Sequence, residues 1–136
     1  MSIAWEGLCP LLYVYDMRVS LAFYRDALGF TVVQSSSPGD DCDWCWLRRD
    51  DVEIMLNTQY ERDRRPPDRD SARAQAHHDT CLYIGCRQLD AAYAELRARG
   101  IDARPPVVRD YGMKQVYFQD PDGYSLCLQW AAGGDE

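Results

Sequence analysis

The chain has 136 residues, 46% of them hydrophobic, enough to bury a core and too few for several ordinary domains. Fifteen basic against twenty-two acidic residues leave a formal net charge of −7, which argues against a phosphate-backbone partner and leaves room for a neutral or cationic ligand. No apolar run approaches the roughly 20 residues of a membrane span, and the N-terminus lacks the basic region and long apolar stretch of a signal peptide. The expectation is a cytoplasmic protein with no membrane and no nucleic-acid partner. Six cysteines (Cys9, Cys42, Cys45, Cys81, Cys86, Cys127) read as free thiols, since nothing marks the chain for an oxidising compartment. The one CxxC, Cys42 to Cys45, lacks the second ligand pair of a zinc site.

Taken in order, Leu8 to Val14 alternates like a strand, and the stretch from Asp16 to Gly29 carries apolar residues at helical spacing. Trp44 to Leu47, the turn Asp50-Asp51 and Val52 to Leu56 form a hairpin pattern. The order then recurs: a strand over Cys81 to Cys86, an amphipathic helix from Leu89 closed by Gly100, a strand over Val116 to Gln119, the turn Pro121-Asp122-Gly123, and Tyr124 to Trp130. Cys9 and Cys81, Asp16 and Gln88, Trp46 and Phe118, and Met55 and Cys127 all stand 72 positions apart, which points to a duplicated βαβββ module. The chain is thus read as one domain, residues 1–136, with module one at about 5–57, a solvated linker at about 58–79 and module two at about 80–130. The tail Gly133-Gly134-Asp135-Glu136 reads as frayed.

The phrases LYVYDMRVSLAFYRDALGF in the first half, and LDAAYAELRARGI followed by VYFQDPDGYSLCLQW in the second, resemble the glyoxalase / bleomycin-resistance / extradiol dioxygenase (vicinal oxygen chelate) superfamily. The resemblance implies an α+β fold: two tandem βαβββ modules forming a U-shaped mixed sheet around a cavity, with helices outside, and pairing into a homodimer. In the superfamily's enzymes a divalent metal is held by His, Gln or Glu from the first and last strands of each module. Matching those positions to this sequence places them on Cys9, Met55, Cys81 and Cys127. No carboxylate or imidazole remains there, which argues against an ordinary metal-dependent lyase, isomerase or dioxygenase and for a site with no cofactor and no metal. His77 and His78 flank the second module's first strand. As an extension of it, His78 would face away from Cys81, and His77 would lie roughly 13 Å along the strand.

Strand parity assigns the ligand face. If Tyr124, Leu126, Leu128 and Trp130 pack under a helix, then Ser125, Cys127 and Gln129 face the other way, together with Leu11, Tyr13, Glu53, Met55, Cys81 and Tyr83. Tyr15, Trp44, Tyr60 and Tyr111 are candidates for the rim, although Trp44 and Trp46 read better as core. The function expected is that of the metal-free, bleomycin-resistance branch: reversible sequestration of an apolar or aromatic, even cationic, small molecule such as an antibiotic. Two alternatives stay open, catalysis of the superfamily's kind and binding of a soft metal or arsenical through Cys9, Cys81 and Cys127. Tyr13, Tyr83 or Glu53 could serve as acid or base, but nothing in their spacing singles one out, so no catalytic residue is assigned.

Overall fold

Pro10 sets where the first strand begins. It has no N–H to give a ladder, yet its carbonyl accepts from Met55 N at 2.8 Å, so the strand expected from Leu8 starts at β1, Leu11–Val14. Cys9 therefore precedes the strand. The computed structural model describes residues 2–133, and the chain divides into two compact units between Arg65 and Pro66. Of the tail read as frayed, residues 134–136 lie outside the described residues.

In the first unit β1 leads into α1, Met17–Leu21, followed by β2, Thr31–Ser35, β3, Trp44–Arg49, and β4, Val52–Thr58. The sheet order is β1-β4-β3-β2, with β1 parallel to β4 and the other pairs antiparallel. Asp16 caps α1, its carboxylate accepting from Arg18 N at 3.1 Å. Met17, Ser20, Leu21 and Tyr24 recur at helical spacing and are all buried. The helix continues over Ala22–Ala27 with the wider π winding, in which Leu28 N reaches Phe23 O at 2.9 Å. Beneath it Val14, Cys45, Leu47 and Leu56 are 0% exposed, each large apolar side chain contributing about 1.5–3 kcal/mol through burial.

The second unit repeats the pattern. β5, Cys81–Gly85, precedes α3, Leu89–Ala98, then come β6, Val107–Val108, β7, Met113–Gln119, and β8, Ser125–Ala131. Its order is β5-β8-β7-β6, again with the first and last strands parallel. Val116, Phe118 and Leu126 are buried with Leu89 and Leu96 of α3, and Lys114 on the same side of β7 reaches Asp90 of that helix at 3.0 Å. The two four-stranded mixed sheets with their helices are the expected α+β, tandem βαβββ architecture.

Two features depart from the sequence reading. Residues 58–79, read as solvated linker, hold a 3-10 turn at Arg62–Arg64, the helix α2 at Ser71–Ala76 and a further turn at His77–Asp79. The last two pack on the turn of module two: the His77 ring stacks on Tyr124 at 4.0 Å, its Nδ1 lies 2.7 Å from Asp122 O, and Arg69 reaches the buried Asp122 carboxylate at 3.3 Å. His77 and His78 thus belong to a helical turn rather than to an extension of β5, so a strand-parity argument does not apply to them.

The second departure is a slip of one residue. β3 and β4 are joined by the two-residue turn Asp50-Asp51, with Arg49 paired to Val52 and Asp50 at φ 50. β7 and β8 are joined by 120–124, with Gln119 paired to Ser125, and Asp120 Oδ1 accepts from the N–H groups of Asp122 and Tyr124, both at 2.9 Å. Because Trp46 pairs with Met55 while Tyr117 pairs with Cys127, β3 maps onto β7 at 71 positions although β4 maps onto β8 at 72. The equivalence of Trp46 with Phe118 is therefore wrong. Trp46 corresponds to Tyr117, and the extra residue is absorbed in the turn.

Candidate functional site

Each sheet has one face under its helix and one face without. On the helix-free face of the first unit Leu11 pairs with Met55, Tyr13 and Trp44 both pair with Asn57, Trp46 pairs with Met55, and Arg48 pairs with Glu53. The sequence-predicted Leu11, Tyr13, Glu53 and Met55 thus share one surface, with Leu11 and Tyr13 exposed and Glu53 and Met55 half-buried. Glu53, a ligand-face residue from the sequence, is held by Arg48 at 2.9 Å. The Cys9 thiol is pushed above its ordinary range by burial and then by the charge of Glu53.

Trp44 and Trp46 were expected in the core. Both instead lie half-buried on the helix-free side, since they share the parity of Asn57 and Met55, while Cys45 and Leu47 between them fill the core. The guanidinium of Arg48 sits 5.1 Å from the Trp46 ring centroid. The indole Nε1 of Trp46 is buried and has no hydrogen-bond partner among the described residues.

In the second unit the same rule gathers Cys81, Tyr83, Ser125, Cys127 and Gln129, which sequence parity placed together, and adds Gln115, Tyr117 and Gln119. Cys127 is 0% exposed, and burial pushes its thiol up to about 11 against a partial offset from the Tyr117 hydroxyl. Cys81 is likewise raised by burial, offset by its contact with Tyr83. Tyr83 and Tyr117 meet hydroxyl to hydroxyl at 3.0 Å with their rings edge to face, centroids 6.3 Å apart. The Tyr117 phenol is held well above its usual range, first by that bond to Tyr83 and then by burial. Tyr111, a predicted rim residue, donates to Gln115 Oε1 at 3.1 Å, and Arg109 lies 5.7 Å from the Tyr117 ring centroid.

Arg109, Gln115 and Tyr117 were missed. Tyr117 stands inside the quoted phrase VYFQDPDGYSLCLQW, but counting the turn as equal in both halves matched Trp46 to its neighbour Phe118 and left Tyr117 unassigned. Gln115 and Arg109 carry no local signal, because their role follows from an amide chain across β7 and β8.

Each unit also carries a hollow. In the first unit a cavity of about 180 Å³ is lined by Tyr15, Tyr60, Asp41, Arg18, Arg62 and Arg65. It contains none of the nine predicted ligand-face residues, and its arginines are committed: Arg18 and Arg62 to Asp41, Arg65 to Asp16 at 3.4 Å. The acidic residues nearby are thereby neutralised in part, Asp40 likewise meeting Arg25 at 2.8 Å. In the second unit an open hollow of about 360 Å³ is lined by Asp102, Arg104, Tyr117, Phe118, Gln119 and Ser125. Among the described residues no three His, Cys, Asp or Glu side chains are grouped closely enough to hold a metal ion. A superfamily metal does not fit the donors at Cys9, Met55, Cys81 and Cys127, whose thiols carry raised or unaided proton affinity and whose thioether is soft. No helix of the described residues is long and apolar enough to cross a membrane.

Two mixed βαβββ sheets, each carrying an aromatic and amide-bearing face opposite its helix, define a protein of the vicinal-oxygen-chelate architecture. The chain belongs to the Glyoxalase/Bleomycin resistance protein/Dioxygenase superfamily, whose family model matches residues 8–128. Among solved structures it is similar to SMU.1112c, with 29% identity, 93% of this chain and 98% of that chain covered, and a TM-score of 0.73. It is also similar to a bleomycin resistance determinant encoded on the transposon Tn5 (21% identity, 93% and 98% covered, TM-score 0.70). A bleomycin-binding protein complexed with bleomycin matches in the same way (21% identity, 92% and 98% covered, TM-score 0.68). No curated protein sequence matches the chain.

Proposed function

We propose that the protein binds an apolar or aromatic small molecule reversibly and without chemistry, as a sequestering protein of the bleomycin-resistance type. The observation that carries this reading is the make-up of the helix-free faces: Leu11, Tyr13, Trp46 and Met55 in one unit, Tyr83, Tyr117 and Gln129 in the other, supply stacking area and amide groups. At the superfamily's ligand positions stand thiols kept protonated and a thioether, which favours a lining role over metal chemistry. Two structural relatives whose names refer to bleomycin support the class of function, and that drug is a reasonable first ligand to try.

The test is a titration of the protein with metal-free bleomycin and with the neutral aromatic 2-naphthamide, followed by tryptophan fluorescence, with the ligand recovered and analysed afterwards. Saturable binding of either, with the molecule returned unaltered, is the expected result. A chemically changed ligand, or binding that appears only after a divalent metal is added, would replace sequestration with catalysis.

A homodimer is the assembly that accompanies this reading. Its support is the segment before β1, where Ile3, Trp5 and Leu8 are 68%, 88% and 85% exposed, an apolar surface that a second copy of the chain would cover. A cytoplasmic location is part of the same proposal.

A further inference from the structure

Arg109 can only donate hydrogen bonds, and that property fixes the sense of every bond in the chain of groups beside it. Its Nε donates to Gln115 Oε1 at 3.1 Å, and the Tyr111 hydroxyl donates to the same oxygen at 3.1 Å. Gln115 is 2% exposed, so its amide orientation is set by these two donors, and its nitrogen points the other way, donating to Gln129 Oε1 at 2.9 Å. The carbonyl of Gln129 is thereby occupied and its NH2 group is left over. Next to it the hydroxyls of Tyr83 and Tyr117 meet at 3.0 Å, beside the thiols of Cys81 and Cys127. Each side-chain oxygen of the amide chain already accepts at least one bond, while the Gln129 NH2 and the remaining N–H groups of the Arg109 guanidinium have no acceptor among the described residues.

Charge follows the same sense. Arg25, Arg48, Arg69 and Arg97 each sit against a carboxylate, but among the described residues Arg109 meets none, and its guanidinium lies over the Tyr117 ring instead. In a chain of net charge −7, an uncompensated cation held in place by a buried amide is a selective feature.

We propose that the helix-free face of the second unit takes a ligand that bears a carboxylate or comparable oxyanion beside an aromatic ring. The ring lies against Tyr83 and Tyr117, and the anion accepts from the Arg109 guanidinium and the Gln129 amide. This assignment rests on the sequestering role proposed above and gives its ligand a charge opposite to the cationic option left by composition alone.

The experiment compares three probes of one shape: 2-naphthoate, 2-naphthamide and 2-naphthylmethylammonium, titrated calorimetrically at low salt into the whole protein and into Arg109→Gln and Gln129→Glu. The naphthoate should bind at least about tenfold tighter than the ammonium, as a charge-assisted bond to a guanidinium predicts. Arg109→Gln should remove that preference, and an unchanged circular dichroism spectrum shows that the variant is folded. Gln129→Glu, which puts an acceptor where the free NH2 stood, should reverse the order of naphthoate and ammonium. If the amide binds and the three probes are indistinguishable, or the ammonium is preferred by the unaltered protein, the anion assignment is overturned while sequestration stands. If none of the three binds while bleomycin does, the anion assignment falls alone, and if nothing binds, both readings fall.

Discussion

Replacing Gly123 by Ala separates two effects that are usually confounded. Gly123 has φ +86, a conformation that costs an L-residue about 1–2 kcal/mol. A Cβ there would also lie 2.1 Å from the Ala74 carbonyl oxygen and 3.0 Å from its carbon, both backbone atoms of α2. Gly100 and Gly112 have φ +84 and +87 with nothing within 4 Å of the added carbon, so Gly100→Ala and Gly112→Ala report the backbone cost alone. The Gly123 variant must in addition push α2 off the turn, losing the His77–Tyr124 stack and exposing the buried Asp122 carboxylate that Arg69 pairs. Loss of a ring contact and of a partly buried charged hydrogen bond adds about 2–4 kcal/mol, for a total of about 3–6 kcal/mol. Urea unfolding of the three variants side by side measures this, and circular dichroism at each step shows whether helix is lost. If Gly123→Ala costs no more than Gly100→Ala, the segment 66–79 is not seated on the turn and the packing described above is wrong.

Further outcomes can be checked on the same protein. Tyr83→Ala should weaken binding of an aromatic probe by about 1–3 kcal/mol, roughly 5- to 150-fold, whereas Cys127→Ser should cost less because volume is kept; the reverse ranking in calorimetry would favour thiol or soft-metal chemistry. Burial raises Cys45 to about 12 and Cys127 to about 11, from an ordinary value of 9.0. The stability associated with these neutral thiols is complete below about pH 9 and is lost as pH rises through about 11 and 12, because the unfolded chain sheds the protons first. Urea midpoints between pH 8 and 10.5 should fall less steeply in a Cys45→Ala, Cys127→Ser double variant than in the parent, and equal slopes would count against the assignment. Finally, Trp5→Ser with Leu8→Ser should shift the sedimentation of a dimer towards monomer with unchanged circular dichroism; a parent already monomeric at micromolar concentration would remove the dimer proposal.

Period-two alternation made much of this molecule legible in advance. Cys127 is as fully buried as the core residues Leu126 and Val116 yet faces away from α3, and parity alone put it there, with Tyr83 beside it. The same alternation misplaced Trp46, because an aromatic residue fits either side of a strand and only the count of turn residues decides between them. Segment 58–79 was misread for a different reason. Its Arg, Asp, Pro and Gln composition is that of solvent-exposed chain, and what orders it is contact with Gly123, Tyr124 and Asp122, residues close to fifty positions away, which no local pattern records. The donor chain from Arg109 to Gln129 was invisible on the same grounds, since its links cross from β7 to β8 rather than run along either.

The unequal turns of the two hairpins say something about how such halves can diverge. An insertion inside a strand would roll every later side chain to the opposite surface and expose the core, so it would be eliminated at once. Placed between the strands and absorbed by the turn, a single added residue leaves each strand's facing and its pairing intact, as the equivalent pairs Trp46–Met55 and Tyr117–Cys127 show. The outer surface therefore keeps equivalent neighbours in both halves: Met55 lies opposite Trp46, its counterpart Cys127 lies opposite Tyr117, and Phe118, the partner of Trp46 by simple counting, stays inside. Length drift at a turn is thus tolerated between duplicated halves, because it changes the sequence offset without disturbing which side chains share a face or pair across the strands. Anyone recombining the two halves should cut at the turns and count each strand separately, because a chimera built on one uniform offset would bury Tyr117 and turn Phe118 to the solvent.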